Sequence, residues 1–265
     1  MKLLLKILVV LAALAAGLYW FAGYEPEADK TAQRTPQTRL EQHIETSEDS
    51  LTRTERIRRL FAFKEAVRTA LNARVPADRR VKADEIAPIM KEALVATEDK
   101  RFYDHGAIDI FGISRAFYIN MVAGHTVEGG STITQQLVKN LFLSSKRIMS
   151  RKIEEVLLAY LMEYYYTKDQ ILTMYLNSIY YGNNYYGLEA AAAGYFSTTP
   201  DKLSLAQAAM LAGLPQAPSY YNPKENFTAA KERQRTVLTL MAAQGMITSR
   251  EADSAFYEDV GLKKE

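Results

Sequence analysis

Apolar residues recur three and four positions apart along most of the chain, and this spacing predicts helices. Beyond residue 83 it predicts eight of them, over Ile86–Glu98, Ile110–Val122, Ile133–Phe142, Arg151–Tyr166, Lys168–Tyr180, Leu188–Phe196, Ser204–Ala212 and Ala229–Gln244. Prolines fall in the gaps between the later segments, at Pro200, Pro215, Pro218 and Pro223. No run alternates between apolar and polar residues for long enough to predict a sheet. The pattern therefore predicts a mainly α domain over residues 83–265.

The N-terminus has a different pattern, an uncharged apolar run from Ile7 to Tyr24. Its 18 residues reach the lower limit for crossing about 30 Å of hydrocarbon. Two lysines precede the run, and cationic flanks remain on the cytoplasmic side of a membrane. Residues 1–24 are therefore predicted to be a single-pass anchor with the N-terminus inside. The alternative is a cleaved signal peptide, because an A-x-A cleavage pattern begins at Ala13.

Residues 25–82 separate this anchor from the domain. The first part, to residue 50, is polar and lacks apolar periodicity, which predicts a tether. Residues 52–82 hold ten basic and three acidic side chains, a net charge of +7. Their apolar residues have helical spacing, so we expect a basic amphipathic helix there. Anionic lipid headgroups would attract such a helix. The alternative is a solvated helix packed on the domain through its apolar stripe.

The composition narrows the class of protein further. With 48% hydrophobic and 24% charged residues among 265, the chain is globular rather than disordered. A net charge of +2 demands no nucleic-acid partner, and none is expected. The absence of cysteine excludes disulfides, thiolate zinc sites and cysteine nucleophiles. Three histidines argue against a multi-histidine metal site.

Two adjacent carboxylates are candidates for acid–base chemistry. Glu98 and Asp99 close one predicted helix, and the aromatic side chain of Phe102 follows. Desolvation beside aromatic groups raises the pKa of a carboxyl group, which suits a general base near neutral pH. The alternative is an exposed pair that forms salt bridges with Lys100 or Arg101.

A glycine pair begins the next candidate region. Gly129 and Gly130 give backbone freedom, and the following Ser131 or Thr132 can cap a helix. Unpaired N–H groups at such a helix start bind anions, although the spacing is not that of a P-loop. Polar side chains continue along this helix, at Gln135, Gln136, Lys139 and Asn140.

A basic stripe follows on the next predicted helix. Arg147, Arg151 and Glu155 are four residues apart and share one face, with Lys152 beside them. Together with Lys139 they bring four cations to a region already expected to bind anions, and a pyrophosphate is the preferred ligand. An ordinary Arg151–Glu155 surface pair is the alternative. The opposite face is expected to point into the core through Ile153, Val156, Leu157 and Tyr160.

Most of these residues fall in motifs, and the chain holds five ordered motifs that resemble family 51 glycosyltransferases. These are the peptidoglycan glycosyltransferases, and the resemblance is in particular to the monofunctional biosynthetic transglycosylases. The motifs are E-D-x-x-F-x-x-H from Glu98, G-x-S-T-I-T-Q-Q from Gly129, R-K-x-x-E from Arg151, K-x-x-I-L-x-x-Y-L-N from Lys168 and R-x-x-x-V-L-x-x-M from Arg233. One departure is Ala107, where the family usually has glycine.

The resemblance implies a lysozyme-like helical fold with a large head and a smaller, membrane-proximal jaw. Apolar residues between the first two motifs would form the jaw, namely Ile110, Phe111, Phe117, Tyr118, Ile119, Met121 and Val122. It also implies lipid II and the growing polyprenyl-linked glycan strand as substrates, at the outer face of the bacterial cytoplasmic membrane. Other cell-wall synthesis and division proteins would be partners. No S-x-x-K or K-T-G motif occurs in the sequence, so no transpeptidase domain is expected.

The resemblance also assigns roles to residues. Glu98 would be the general base, and Glu155 would orient the reaction centre or assist the leaving phosphate. A divalent cation, Mg²⁺ or Mn²⁺, would be an optional aid, with no obligatory cofactor and no fixed metal site. The cations on pyrophosphate would be Lys139, Arg147, Arg151 and Lys152. The remaining substrate contacts would be Asp99, Phe102, Gly130, Ser131, Thr132, Gln135, Gln136 and Asn140. Motifs four and five are expected to be structural.

Two other functions remain open from the sequence. A lysozyme-like hydrolase or lytic transglycosylase would also use two carboxylates, but its neutral glycan substrate has no pyrophosphate for the basic stripe to neutralise. A non-catalytic membrane scaffold would bind polyprenyl lipid without turning it over, and would have no need of Glu98 and Glu155.

Overall fold

The computed structural model describes residues 51–125, 129–143 and 149–263. The predicted anchor, the predicted tether up to residue 50 and Arg147 lie outside this part. The described residues form helices throughout, with only an isolated bridge between Tyr180 and Tyr186. The helices are α1 (Arg53–Phe61), α2 (Phe63–Arg74), α3 (Pro88–Glu98), α4 (Ile110–Ala123), α5 (Ile133–Phe142), α6 (Met149–Tyr165), α7 (Lys168–Ser178), α8 (Leu188–Phe196), α9 (Leu205–Gly213), α10 (Phe227–Ala243) and α11 (Ser249–Tyr257).

The predicted mainly α fold is confirmed for these residues. Each of the eight helices expected beyond residue 83 is present, with ends within two residues of the prediction. The basic segment 52–82 differs, because two helices that meet at Ala62 replace the single expected one. Helix α11 was not predicted, although the pattern Thr248-x-x-Glu251 before it is a helix-start signal.

Helix starts are specified locally by paired capping contacts. In each case a threonine or serine hydroxyl accepts the N–H of the third helical residue, whose side chain returns to the cap backbone. Such boxes begin α1, α5, α7, α9 and α11, at Thr52, Thr132, Thr167, Ser204 and Thr248. Because a lost cap costs about 1 kcal/mol, these residues fix where each helix begins.

One hydrophobic core joins the helices. Helix α9 packs on α3 and α10, α10 also packs on α11, and α5 packs on α6 and α7. Helix α2 contributes Phe63, Val67 and Leu71 to the same core, so the basic segment packs on the domain through an apolar stripe. The predicted domain boundary at residue 83 stays a prediction. Helix α2 precedes that boundary and nevertheless packs into this core.

Helix α4 is the exception to this packing. It buries Gly112 and Ala116, while the large side chains expected in the jaw stay mostly exposed. Those with exposed side chains are Ile110, Phe111, Phe117, Tyr118, Met121 and Val122. Among the residues that the structure describes, no helix combines the length and apolarity needed to cross a membrane.

Candidate active site

Glu98 lies at the C-terminal end of α3, where two hydrogen bonds connect it to α5 and α7. The Gln136 side-chain Nε2 donates to Glu98 Oε2 at 2.9 Å. The Tyr175 hydroxyl donates in turn to Gln136 Oε1, also at 2.9 Å. Gln136 therefore presents its NH₂ group, and not its carbonyl oxygen, to the Glu98 carboxylate. The alternative of an exposed salt-bridged pair does not describe Glu98.

The surroundings of Glu98 raise its pKa above the ordinary value. Burial is the main cause, because it penalises the charged carboxylate. The hydrogen bond from Gln136 opposes this rise, and so do the positive charges of Arg233 and Lys139. Arg233 belongs to the fifth motif and donates its Nε–H to the Gly213 carbonyl at 3.2 Å. A carboxyl group in this environment is suited to accept a proton near neutral pH.

Asp99, the neighbour of Glu98 in sequence, connects the end of α3 to the start of α5 and to His105. Its Oδ2 accepts the Ile133 N–H at 3.0 Å, at the start of α5, and its Oδ1 lies 2.8 Å from His105 Nε2. The other ring nitrogen of His105 lies 2.6 Å from the Gly106 carbonyl. Burial alone would lower the His105 pKa, but these two contacts outweigh it and raise that pKa. Asp99 thus ties the first motif to the second.

The glycine-containing second motif brings α4 and α5 together. A Cβ atom on Gly130 would lie 3.3 Å from Ile113 Cα of α4, so glycine permits this close approach. Thr132 caps α5 together with Gln135, and its hydroxyl also donates to the Ala107 carbonyl at 3.0 Å. Both side chains are buried in these contacts.

Glu155 lies buried in the second turn of α6, with 2% of its surface exposed. Arg151 donates to Glu155 Oε2 at 3.0 Å, and Lys152 forms a salt bridge with Oε1. Lys152 also reaches the Ser131 hydroxyl at 3.4 Å. The predicted stripe is therefore a partly buried ion cluster rather than an ordinary surface pair.

Lys139 connects this cluster electrostatically to the base. Its side chain remains exposed, yet the protein around its ammonium group desolvates it, and this lowers the Lys139 pKa. Glu155 and Glu98 oppose the lowering, whereas Arg151 and Lys152 add to it. Lys139 thus lies within the field of both predicted catalytic carboxylates.

A cavity of about 190 Å³ opens beside Gln136 and Tyr175. Lys139 and Asn140 also line it, together with Arg74 from α2. Arg74 and Tyr175 were missed as site residues by sequence reasoning. Tyr175 lies in the fourth motif, where helical periodicity indicated only a buried face, and Arg74 was one of ten cations in the basic segment.

Phe102, a predicted substrate contact, is not among the residues that line this cavity. It is fully buried, and the Lys168 ammonium lies 4.3 Å from the centre of its ring. Lys168 also pairs with Glu163 at 2.7 Å, and Glu163 accepts the Thr134 hydroxyl. These contacts hold the first, second and fourth motifs together, whereas a substrate contact for Phe102 stays a prediction.

Two groups of side chains are candidates to hold a divalent cation. Among the described residues, Asp99, His105 and Asp109 bring ligand atoms within 4.8 Å of one another. Most of their atoms already have partners, because Asp99 accepts the Ile133 N–H and His105 contacts two oxygens. Asp109 Oδ1 has no hydrogen bond but lies 3.5 Å from an Arg101 nitrogen, whose positive charge opposes a cation there. Both oxygens of Glu155 already meet cations. Neither group fits Mg²⁺ or Mn²⁺ as it stands, and the optional cation stays a prediction.

The sequence profile of the Transglycosylase family matches residues 65–242. This chain belongs to that family. The match confirms the resemblance to family 51 glycosyltransferases and the expected enzyme class. It begins within α2, in agreement with the packing of that helix on the transglycosylase core.

Curated relatives of this transglycosylase chain are penicillin-binding proteins. Penicillin-binding protein 1A of Neisseria flavescens is 49% identical over 183 residues, which are 69% of this chain and 23% of the relative. The protein of that name from Escherichia coli K12 is 47% identical over 180 residues, 68% of this chain and 21% of the relative. The chain thus spans less than a quarter of the length of either relative.

A solved structure also matches part of the chain. Penicillin-binding protein 1A from Haemophilus influenzae is 37% identical, with a TM-score of 0.36. The match covers 38% of this chain and 15% of that protein.

Proposed function

We propose that this transglycosylase polymerises lipid II into glycan strands and releases undecaprenyl pyrophosphate. The observation that carries this proposal is the position of Glu98, a partly buried carboxylate with a raised pKa. The positive charge of Lys139 acts on Glu98 and lies in the field of the ion cluster around Glu155 as well. A base and a cation cluster are the two components that transfer of a sugar from a pyrophosphate requires. A neutral-glycan hydrolase would require only carboxylates.

Glu98 is the general base in this proposal. It takes the proton of the acceptor's sugar 4-hydroxyl as the hydroxyl oxygen bonds to the donor's anomeric carbon. The bond from that carbon to the pyrophosphate oxygen breaks at the same time, and the configuration inverts from α to β. The leaving pyrophosphate keeps the electron pair. General-base assistance of this kind contributes about 10²–10⁴-fold in rate.

Positive side chains of the ion cluster stabilise the departing pyrophosphate. Lys139, Arg151 and Lys152 are held by Glu155 or lie in its field before substrate binds. Cations placed in advance stabilise developing charge without the cost of reorganisation. Arg147, four residues before Arg151 in the sequence, has the same role. Glu155 orients this cluster, and no step requires a metal ion.

The remaining polar side chains near the start of α5 hold the sugar and phosphate oxygens. Gln136 and Asn140 line the cavity beside Lys139, and Ser131 lies next to Lys152. Gly130, Thr132, Gln135 and Asp99 act through the shape of the α5 start. The domain works at the outer face of the cytoplasmic membrane, anchored by residues 1–24, with other cell-wall synthesis and division proteins as partners.

The test is polymerisation of labelled lipid II by the detergent-solubilised full chain, with products resolved by gel. Glu98→Gln should give no glycan ladder yet bind lipid II normally, because the amide keeps the shape and loses the base. Glu92→Gln is the matched control, an exposed glutamate on the same helix, and should polymerise normally.

Three results of this test would contradict the proposal. A ladder from Glu98→Gln would refute the assignment of the base. Binding of lipid II by the native chain without any ladder would favour the scaffold function. Degradation of preformed strands would favour the hydrolase.

A further inference from the structure

Helix α6 presents an apolar stripe to solvent, contrary to the sequence prediction. Ile153, Leu157 and Tyr160 were expected to face the core, but each is about half exposed, and only Val156 is buried. Tyr164 continues the stripe one turn later, with 79% of its surface exposed. The spacing of four, three and four residues keeps these exposed side chains on one face of the helix. An apolar face of this kind marks a binding surface.

Helix α1 runs beside α6 and extends this surface. Arg56 of α1 pairs with Glu154 of α6 at 2.5 Å. Eight residues after Arg56, at the start of α2, the Lys64 ammonium lies 5.3 Å from the ring centre of Tyr165, at the end of α6. The two chain segments therefore run in the same direction. Helix α1 exposes its own apolar pair one turn apart, Ile57 and Phe61, and Phe61 is 87% exposed.

The charges at the edge of this surface indicate its partner. Arg58 and Lys64 are exposed cations next to Ile57 and Phe61 in sequence. Tyr160 and Tyr164 add aromatic rings with polar tips, which favour the boundary between hydrocarbon and water. Apolar side chains, interfacial tyrosines and flanking cations together are the composition of a surface that lies on an anionic membrane.

We infer that the surface formed by α1 and α6 lies against a lipid bilayer with anionic headgroups. Its members are Ile57, Phe61, Ile153, Leu157, Tyr160 and Tyr164. The surface is formed by other helices than α4, whose exposed residues are the expected membrane-proximal jaw, so it would add to that expected contact with lipid. The contact does not depend on Glu98 or on glycan polymerisation, so it holds or fails independently of the proposed reaction.

The native chain has no cysteine, so single labels can be placed without removing other thiols. Leu157→Cys and Phe61→Cys, each carrying an environment-sensitive fluorophore, would be made in the full chain and reconstituted in phosphatidylcholine–phosphatidylglycerol vesicles. Tyr257→Cys is the control, because Tyr257 is also an exposed aromatic residue, on α11, which packs on α9 and α10. Spin-labelled lipid chains should quench the labels at 157 and 61 at least about twofold more than the label at 257.

The outcomes separate lipid from other occupants. Labels at 157 and 61 that stay as accessible to water as the label at 257 would overturn the inference. Shielding from water without quenching by lipid would also overturn it, and would indicate a protein segment or a second copy on this face. Replacing phosphatidylglycerol with phosphatidylcholine, or introducing Arg58→Gln with Lys64→Gln, should weaken the lipid quenching. Unchanged quenching in both would refute the anionic requirement.

Discussion

The Tyr175 hydroxyl, buried in α7, donates to the side-chain carbonyl of Gln136 and so fixes which end of that amide meets Glu98. An amide free to rotate could present its oxygen to the carboxylate, and two acceptors would then repel each other. Tyr175 is therefore a positioning residue that acts on the base through Gln136. A fully buried phenol suits this role, because burial raises the Tyr175 pKa well above its ordinary value and keeps it a donor.

Tyr175→Phe should lower kcat about tenfold and move the acidic limb of its pH profile to higher pH. Loss of the fixed Gln136 donor removes a contact that holds the Glu98 pKa down, so a higher pH is needed to form the base. Lipid II turnover measured against pH tests this. Tyr181→Phe is the control, since Tyr181 is an equally buried phenol whose hydroxyl donates to the Leu176 carbonyl. A lower rate with an unmoved pH profile would show that Tyr175 is only structural.

Arg233→Gln should also move the acidic limb to higher pH, because the Arg233 charge lowers the Glu98 pKa. Arg233→Lys should largely restore the wild-type profile, since it keeps the charge. Arg235→Gln, at an exposed position of the same helix, should leave the profile unchanged. If Arg233→Gln and Arg235→Gln gave the same profile, the electrostatic role of Arg233 would be refuted.

Glu98→Gln should leave the protein at least as stable as wild type at neutral pH. Because burial raises the Glu98 pKa, the stability linked to its protonated form is complete below the ordinary value of 4.5 and is lost as pH rises through the raised pKa. A glutamine side chain does not ionise, so the variant loses no stability over that pH range. In thermal melts at several pH values, the melting temperature of the variant should rise relative to that of wild type as pH rises. A variant clearly less stable at pH 7 would contradict the assigned cost of burial.

His105→Gln should destabilise the fold most at low pH, by about 1–3 kcal/mol. The contacts with Asp99 and Gly106 raise the His105 pKa, so their stabilisation is complete below the ordinary value of 6.5 and is lost as pH rises through the raised one. Chemical denaturation of variant and wild type at pH 5.5 and pH 9 measures the difference. His125→Gln, at an exposed position, is the control. An equal loss at both pH values would refute an ionised His105.

Glu155→Ala should abolish polymerisation and cost about 1–3 kcal/mol of folding free energy, because the partly buried Arg151 and Lys152 would lose their counter-ion. Glu189→Ala, at an exposed site on α8, should change neither. Denaturation and lipid II turnover are measured on the same preparations. Full activity of Glu155→Ala would show that the cations need no carboxylate to orient them.

The sequence by itself determined the eight helices predicted beyond residue 83, because each rests on local signals, whereas it missed α11 and the break between α1 and α2. Apolar spacing placed Ile133–Phe142, and the capping pattern from Thr132 to Gln135 fixed its start. The five motifs also identified the family and the residues Glu98 and Glu155, and Lys139 was found on the helix that begins within the second motif. These patterns are short-range, so no tertiary structure is needed to interpret them.

Only the tertiary structure decided which faces of those helices are buried. Periodicity shows that Leu157 lies opposite Glu155 but not which side meets the core, and the ion cluster around Glu155 proved to be the inward side. Contacts between helices that are distant in the sequence could not be predicted from it either. The Tyr175 hydroxyl contacts Gln136 although the two residues are 39 positions apart. Such a contact depends on how α5 and α7 pack, and helix packing is set by all the side chains between them.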